Sequence, residues 1–446
     1  MTAVSGTPPA KKAGPGTRDW LIRRNPDFRR FWAGQSISSF GDQVSLIALP
    51  TIAVVALHVS AWTFGLLSVV GYIAYPVAGL FAGAWVDRRS RRRVLMGADA
   101  VRLAAVGAVP VAAATGTLSV PLLFASSLVS GTATCFFSAA YQAYLPSVTP
   151  KADIAGGNAL MEISNSSAQV AGPSLAGVLI GALGSACAMV VDAASYGLSV
   201  LSLALIRTEE AVPARRRRNL LPDVREGLVL VRRHPLLRRL TAATAVANIG
   251  RGLALELFLL FAYRGLGLRP VTVGLVLAAG SVAALAGATV CRALAERLGV
   301  GRTLLLAGVC KGAPWLLTPL ALLGAPLPAM AAIIAASSFF IPVWNVTSIS
   351  LRQYLTDPPV LGRVSATVRT LTSSAVPLAG LLGGGLATAG TALWGSRTGL
   401  AAVLALGGAL WTGAALLLPP GFARVGGPDD AAARYGRVTT GQDGPV

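Results

Sequence analysis

Two uncharged or nearly uncharged apolar stretches flank a compact basic run, and that arrangement excludes most folds for this chain. Trp62 to Val86 holds no charged residue, and Val94 to Thr115 holds only Asp99 and Arg102. Between them stands Asp87-Arg88-Arg89-Ser90-Arg91-Arg92-Arg93. A helix that crosses a bilayer needs roughly 20 apolar residues, so the pair reads as a tight membrane hairpin. The five arginines of its joint assign that joint to the cytoplasmic side. Composition extends the reading to the whole chain: 54% of its 446 residues are hydrophobic and 13% charged. Soluble domains average about one quarter charged, so the chain reads as a polytopic membrane protein.

Apolar runs give about twelve spans. They lie at roughly 31–57, 62–86, 94–115, 118–141, 157–182, 185–206, 239–263, 271–294, 302–323, 327–351, 363–388 and 395–418. With the N-terminus inside, every second joint is basic: 87–93, 151–156, 207–238, 295–302 and 352–363. The opposite joints hold only Arg264, Arg269 and Arg397, which places both termini in the cytoplasm of a cell-membrane protein. The net charge of +20 is thereby a loop property and not a sign of nucleic-acid binding. Cys135, Cys187, Cys291 and Cys310 all lie in apolar segments without metal-ligand spacing, so neither disulfides nor zinc are expected. Residues 1–18 lack the apolar core of a removable signal peptide.

The predicted organisation is a tail and interfacial anchor over 1–30, six spans over 31–206, a connector over 207–238, six spans over 239–418 and a tail over 419–446. Trp20 to Trp32 mixes arginines with aromatics, as an interfacial anchor does. In the connector, Leu221, Val224, Leu228 and Val231 share one helical face, which suits a helix lying on anionic lipid.

The two halves match at an offset of about 209 residues. Gly41-Asp42 falls on Gly250-Arg251; Asp87, Arg88 and Arg93 fall on Glu296, Arg297 and Arg302. Tyr144-Leu145 falls one residue short of Tyr354-Leu355, and Ser166-Ser167-Ala168 parallels Ser373-Ser374-Ala375. Parallel six-helix repeats are a transporter architecture, with the substrate held between the halves near mid-membrane.

Gly83-Ala-Trp-Val-Asp87-Arg88-Arg89-Ser90-Arg91-Arg92 resembles the loop 2–3 signature of the major facilitator superfamily, with Ser90 and Trp85 departing from its glycine and its small aliphatic residue. The resemblance implies an all-α membrane fold of twelve transmembrane helices in two pseudo-symmetric six-helix bundles. It also implies a cytoplasmic latch in which Gly83, Asp87, Arg88, Arg91 and Arg92 meet the start of span 11 near Gly362-Arg363. Glu296, Arg297 and Arg302 form the pseudo-equivalent latch of the second half. Gly172-Pro173-Ser174-Leu175-Ala176-Gly177 resembles the superfamily's antiporter motif, carried by Gly172, Pro173 and Gly177, which goes with exporters. Asn25-Pro26-Asp27-Phe28-Arg29-Arg30-Phe31-Trp32, Gly41-Asp42-Gln43, Asp192-Ala193-Ala194-Ser195-Tyr196 and Glu226-Gly227 with Arg232-Arg233-His234-Pro235 resemble the enterobactin-exporter and macrolide-efflux branch.

Ionisable groups inside spans are costly and mark candidate function. In this fold spans 1 and 7 line the central cavity, so Asp42 and Arg251 are expected to face each other, as a proton-coupling pair or a static bridge. Glu162 is a second coupling candidate or a gate residue. Asp192 serves helix–helix hydrogen bonding or substrate contact, and Asp99 and Arg102 satisfy each other at i,i+3. Glu256 and Lys311 show no partner in sequence, and Arg369 suits the gate or an anionic substrate. His58 and His234 read as surface residues. Gln35, Gln43, Asn158, Asn165, Gln169, Asn248, Trp315, Trp344 and Asn345 offer the scattered amides and aromatics of a pocket for an amphipathic organic solute.

No Ser/His/Asp set, metal cluster or GxxxxGK loop is present in the sequence, so an enzyme and direct ATP coupling are not expected. A monomeric proton-driven exporter of a small organic molecule is the leading expectation, needing no cofactor beyond the proton gradient and no partner beyond solute, protons and lipid. A proton-coupled nutrient importer and a non-transporting receptor or scaffold stand as alternatives.

Overall fold

Helix starts in this chain are written by short polar caps. In the computed structural model, which describes residues 21–74, 82, 85–86, 89–150, 153–208, 210 and 220–438, Asn25 caps α1 (Pro26–Thr51) by accepting from the Phe28 N–H. Ser60 caps α2 (Ala61–Tyr72) in the same way, and Ser90 caps α3 (Arg91–Ala114). Ser90, the departure from the loop signature, is therefore an N-cap. There follow α4 (Val120–Val148), α5 (Ile154–Leu183), α6 (Ser185–Ala204), α7 (Leu220–Arg233), α8 (Pro235–Arg251), α9 (Pro270–Leu298), α10 (Val300–Cys310), α11 (Pro326–Leu355), α12 (Pro358–Ser373), α13 (Ala375–Gly413) and α14 (Pro428–Tyr435).

Ten runs among the described residues are long and apolar enough to cross a membrane, with Ala61–Tyr72 a shorter apolar helix. One run, Val360–Leu417, has 58 residues, far more than one crossing needs. It folds back at Gly395, whose φ of 75° breaks the helix, so that Gly390 and Gly399 pack against each other. Span 2 was expected to reach Val86; its helix is described over Ala61–Tyr72, and most of 75–88 lies outside the described residues. The α1 helix starts at Pro26, inside the segment assigned to a tail. Phe28 and Phe31 are fully buried there, and Asp27 accepts from the Arg207 and Thr208 N–H groups, so this stretch packs into the bundle and not on its surface.

The repeat visible in the sequence recurs in the backbone. After α1 the chain widens into a π-turn at Ile52–Ala56; after α8 it does so twice, at Gly252–Glu256 and at Phe261–Gly265, and the second of these repeats the turn of the first half. Leu57 N–H donates to Ile52 O and Val59 N–H to Ala53 O; Leu266 N–H donates to Phe261 O and Leu268 N–H to Ala262 O. Each pair is displaced by the same 209 positions.

The short turns at 57–60, 184 and 266–269 gather at one end of the molecule, where Gly181 packs on Val271, and form a short-turn end; the ends that carry Pro26 and Val438 form a terminal end. At the short-turn end the halves meet through glycine: Gly177 of α5 lies on Gly274 of α9, and Gly65 of α2 on Gly380 and Gly384 of α13. A Cβ at Gly274 would stand 2.6 Å from the Gly177 Cα, so only bare backbone fits. Thr51 and Tyr263 share a 3.0 Å hydrogen bond beside this crossing, and Arg264 donates to the Val59 carbonyl.

The connector α7 does not lie free on lipid: it packs on α12, with Gly227 against Thr367 and Arg363, and Val231 buried. Nor is the C-terminal segment a loose tail as far as Val438. Val300 and Gly301 N–H groups donate to Gly426 and Val425 carbonyls, and Val438 pairs with Leu355 and Asp357. His234, read from sequence as a surface residue, is buried beneath this strap. Its Nδ1 accepts from Leu237 N–H as the cap of α8, so Nε2 carries the proton and donates to Gly436 O at 3.1 Å. Burial holds its pKa below the usual 6.5. The undocked strap therefore binds the proton more readily; docking is fully favoured above about pH 6.5 and weakens as the pH falls below it. Hydrogen exchange of Val425–Val438, corrected for intrinsic rate, should accelerate from pH 7 to pH 5. His234→Asn, which retains a capping oxygen, should remove that dependence.

Candidate functional site

The densest polar cluster lies where α1, α3 and α6 meet. On α6, Asp192, Ser195, Tyr196 and Ser199 recur at helical spacing and form one face. That face turns toward Gln35 and Asp42 on α1 and toward Asp99 and Arg102 on α3. Small residues allow the approach: a Cβ at Gly41 would come within 2.6 Å of Asp192 Oδ1. Arg102, 1% exposed, bonds Asp99, and Ser199 donates to the other Asp99 oxygen at 2.5 Å. Gln35 donates to Ser199 at 2.9 Å. Asp42 accepts from the Tyr196 hydroxyl at 2.5 Å and lies 3.7 Å from Arg102. The guanidinium is sandwiched by Phe137 and Tyr196, 4.2 and 4.5 Å from the two ring centroids.

The cluster gathers three carboxylates around one guanidinium. Asp99 is fully satisfied, and Asp42 keeps 43% of its side chain exposed. Asp192 is completely buried, and the hydroxyls beside its carboxylate are those of Ser195, at 3.3 Å, and Ser45. A buried carboxylate without a full set of donors is costly as an anion, so the cluster has the chemistry to hold and release a proton.

The expected Asp42–Arg251 pair is corrected by these contacts. Arg251 meets Glu256 at 3.5 Å, because the widened turn at Gly252–Glu256 brings that carboxylate back toward it. Glu256 thus has a partner invisible in the sequence, and Lys311 stacks 3.4 Å over the Trp344 ring. Glu162 is exposed on α5 in line with Asn158, Asn165 and Gln169, and accepts from Ser166 at 3.3 Å. Asn345 is exposed and Asn248 donates to Thr372 O. Trp315, expected on a cavity wall, is 1% exposed, its indole donating to Ser337; it belongs to the core.

Gly83, Asp87 and Arg88 lie outside the described residues. Arg91 and Arg92 face their own half: Glu210 accepts from their backbone N–H groups and from Ser90 Oγ, and Arg92 donates to the Leu203 and Ala204 carbonyls. In the second half Glu296 pairs with Arg292 one turn earlier, and Arg297 and Arg302 are exposed. Of the glycine-proline motif, Gly172 packs on Gln43 and Gly177 on Gly274, which sets α5 against both α1 and α9. Tyr196 and Ser199 escaped the sequence reading, although the i,i+4 and i,i+7 spacing from Asp192 was there to find.

A family model described as Major Facilitator Superfamily matches residues 31–310. The chain belongs to the Major Facilitator Superfamily. It is accordingly a multi-pass membrane transporter of small solutes and not an enzyme. The multidrug efflux pump Tap of Mycolicibacterium fortuitum is 29% identical over 361 residues, covering 78% of this chain and 86% of that protein. A bacterial homologue of the iron transporter ferroportin has the same major facilitator fold at 17% identity. Its inward-facing structure gives a TM-score of 0.67 over 87% of this chain and 98% of that one. The outward-facing structure gives 0.56 over 88% and 98%.

Proposed function

We propose that this superfamily member is a proton antiporter exporting a small amphipathic organic molecule: a drug, siderophore or secondary metabolite. Two six-helix halves, 31–206 and 239–418, rock against each other in the cell membrane, with both termini cytoplasmic and one chain sufficient. The observation that carries this reading is the glycine closure at the short-turn end, which leaves the polar stripe of α5 exposed. A cavity closed on one side and lined by amides suits loading from the terminal end. The likeness to Tap and the glycine-proline motif support efflux over uptake; siderophore and macrolide cargo follow from the finer branch resemblance. The Asp42–Asp99–Asp192 cluster supplies the proton site, and Gly83, Asp87 and Arg88 latch the terminal end when the cavity faces outward.

Inverted vesicles with an imposed acid-inside gradient, screened over lipophilic drugs and siderophores, test the reading. Gradient-driven uptake is expected in wild type and its loss in Asp42→Asn, with protein levels unchanged. Uptake by Asp42→Asn that keeps full dependence on the gradient would sink proton coupling through this cluster.

A further inference from the structure

A cavity with a volume of about 340 Å³ lies in the C-terminal half, between α8, α11 and α12. Its wall carries two guanidiniums, Arg352 and Arg369, and no carboxylate. Arg352 Nε is enclosed without an acceptor, and neither guanidinium makes a hydrogen bond or ion pair with a described residue. Several other arginines of the helix bundle are matched. Arg102 has Asp99 and Asp42, Arg251 has Glu256, Arg363 has Glu226, and Arg92 has two helix-end carbonyls. An unmatched, partly enclosed positive pair calls for a counter-charge.

The rest of the wall suits the remainder of an amphiphile. Trp344 offers an aromatic edge, and Thr241 and Ser348 offer hydroxyls. Arg369 is exposed.

We propose that this cavity is an anion subsite that binds solutes joining an anionic head (carboxylate, sulfonate or phosphate) to an apolar body. Arg352 and Arg369 hold the head, and Trp344 packs on the body. The planar guanidinium fork matches the geometry of such heads. The subsite deepens the export reading by naming a substrate class, and rests on that reading only for the step from binding to transport.

The test is calorimetric titration of the full chain in phosphatidylcholine nanodiscs with naphthalene-2-sulfonate and its neutral isostere, naphthalene-2-sulfonamide. The sulfonate is expected to bind about tenfold tighter or more. Arg352→Gln and Arg369→Gln should each bring its affinity down to that of the sulfonamide, whose own binding stays unchanged. Should Arg352→Gln fail to fold, the exposed Arg369 carries the test alone. Repeating the titration with phosphatidylglycerol in the disc separates the sources of the head. Competition assigns the site to a lipid headgroup, and unchanged binding assigns it to a free solute; both keep the anion site. Equal affinity for the two probes, or sulfonate binding by Arg369→Gln at the wild-type level, overturns it. Binding needs no gradient, so sulfonate binding without gradient-driven uptake would refute export and leave the subsite standing.

Discussion

Arg102→Met should be among the most destabilising single changes in this protein, costing about 3–5 kcal/mol. The guanidinium is 1% exposed, and its removal strands Asp99, which is itself fully buried. Ser199 would then be the one donor left to that carboxylate among the contacts described. The lost packing of Phe137 and Tyr196 on the guanidinium adds to the cost. Thermal unfolding in detergent measures the effect, and Asp99→Asn combined with Arg102→Met should recover much of it, because the stranded charge goes too. A single variant that melts with wild type would show that the pair is not what holds α1, α3 and α6 together.

Gly177→Leu is expected to abolish closure at the short-turn end while leaving each half folded. The Gly274 backbone fills the space that a side chain would need, and backbone cannot rotate away as a side-chain tip can. Overpacking costs about 1–3 kcal/mol, borne here by the closed state alone. That shifts the open–closed balance by about fivefold to 150-fold. Spin labels at Ser60 and Arg269, two residues of the short-turn end, should report a longer mean separation than in wild type. An unchanged distance distribution would remove the glycine crossing from the closing mechanism. Gly65→Leu should act in the same direction, since Gly65 and Gly274 occupy equivalent places in the two halves.

Much of the architecture was legible because bilayer thickness imposes length on apolar runs. The spans at 157–182, 185–206 and 271–294 match α5, α6 and α9 to within a few residues at most ends. The Asp99–Arg102 pair was legible for a similarly local reason, since i,i+3 neighbours on a helix meet whatever packs around them. Asp42 was not, because its partner depends on how α1 is rotated against α6, a property of packing and not of spacing. Offset symmetry pointed to Arg251, but the π-turn after α8 turns Glu256 to Arg251 first. The same limit hid the burial of His234, whose cover comes from Gly436, 202 positions away.

The glycine crossings also determine how the closure responds to force. Backbone on backbone, they hold through dispersion, and a gap of 0.5–1 Å already forfeits a quarter to a half of that attraction. A side-chain ion pair would stretch and still pull; these crossings release within an atom's radius. The short-turn end therefore behaves as a snap fastener with two glycine studs, Gly177 on Gly274 and Gly65 on Gly380 and Gly384, set beside the Thr51–Tyr263 and Arg264–Val59 hydrogen bonds. Once one stud parts, the tilt it allows loads the other, and half-open states are left sparsely populated.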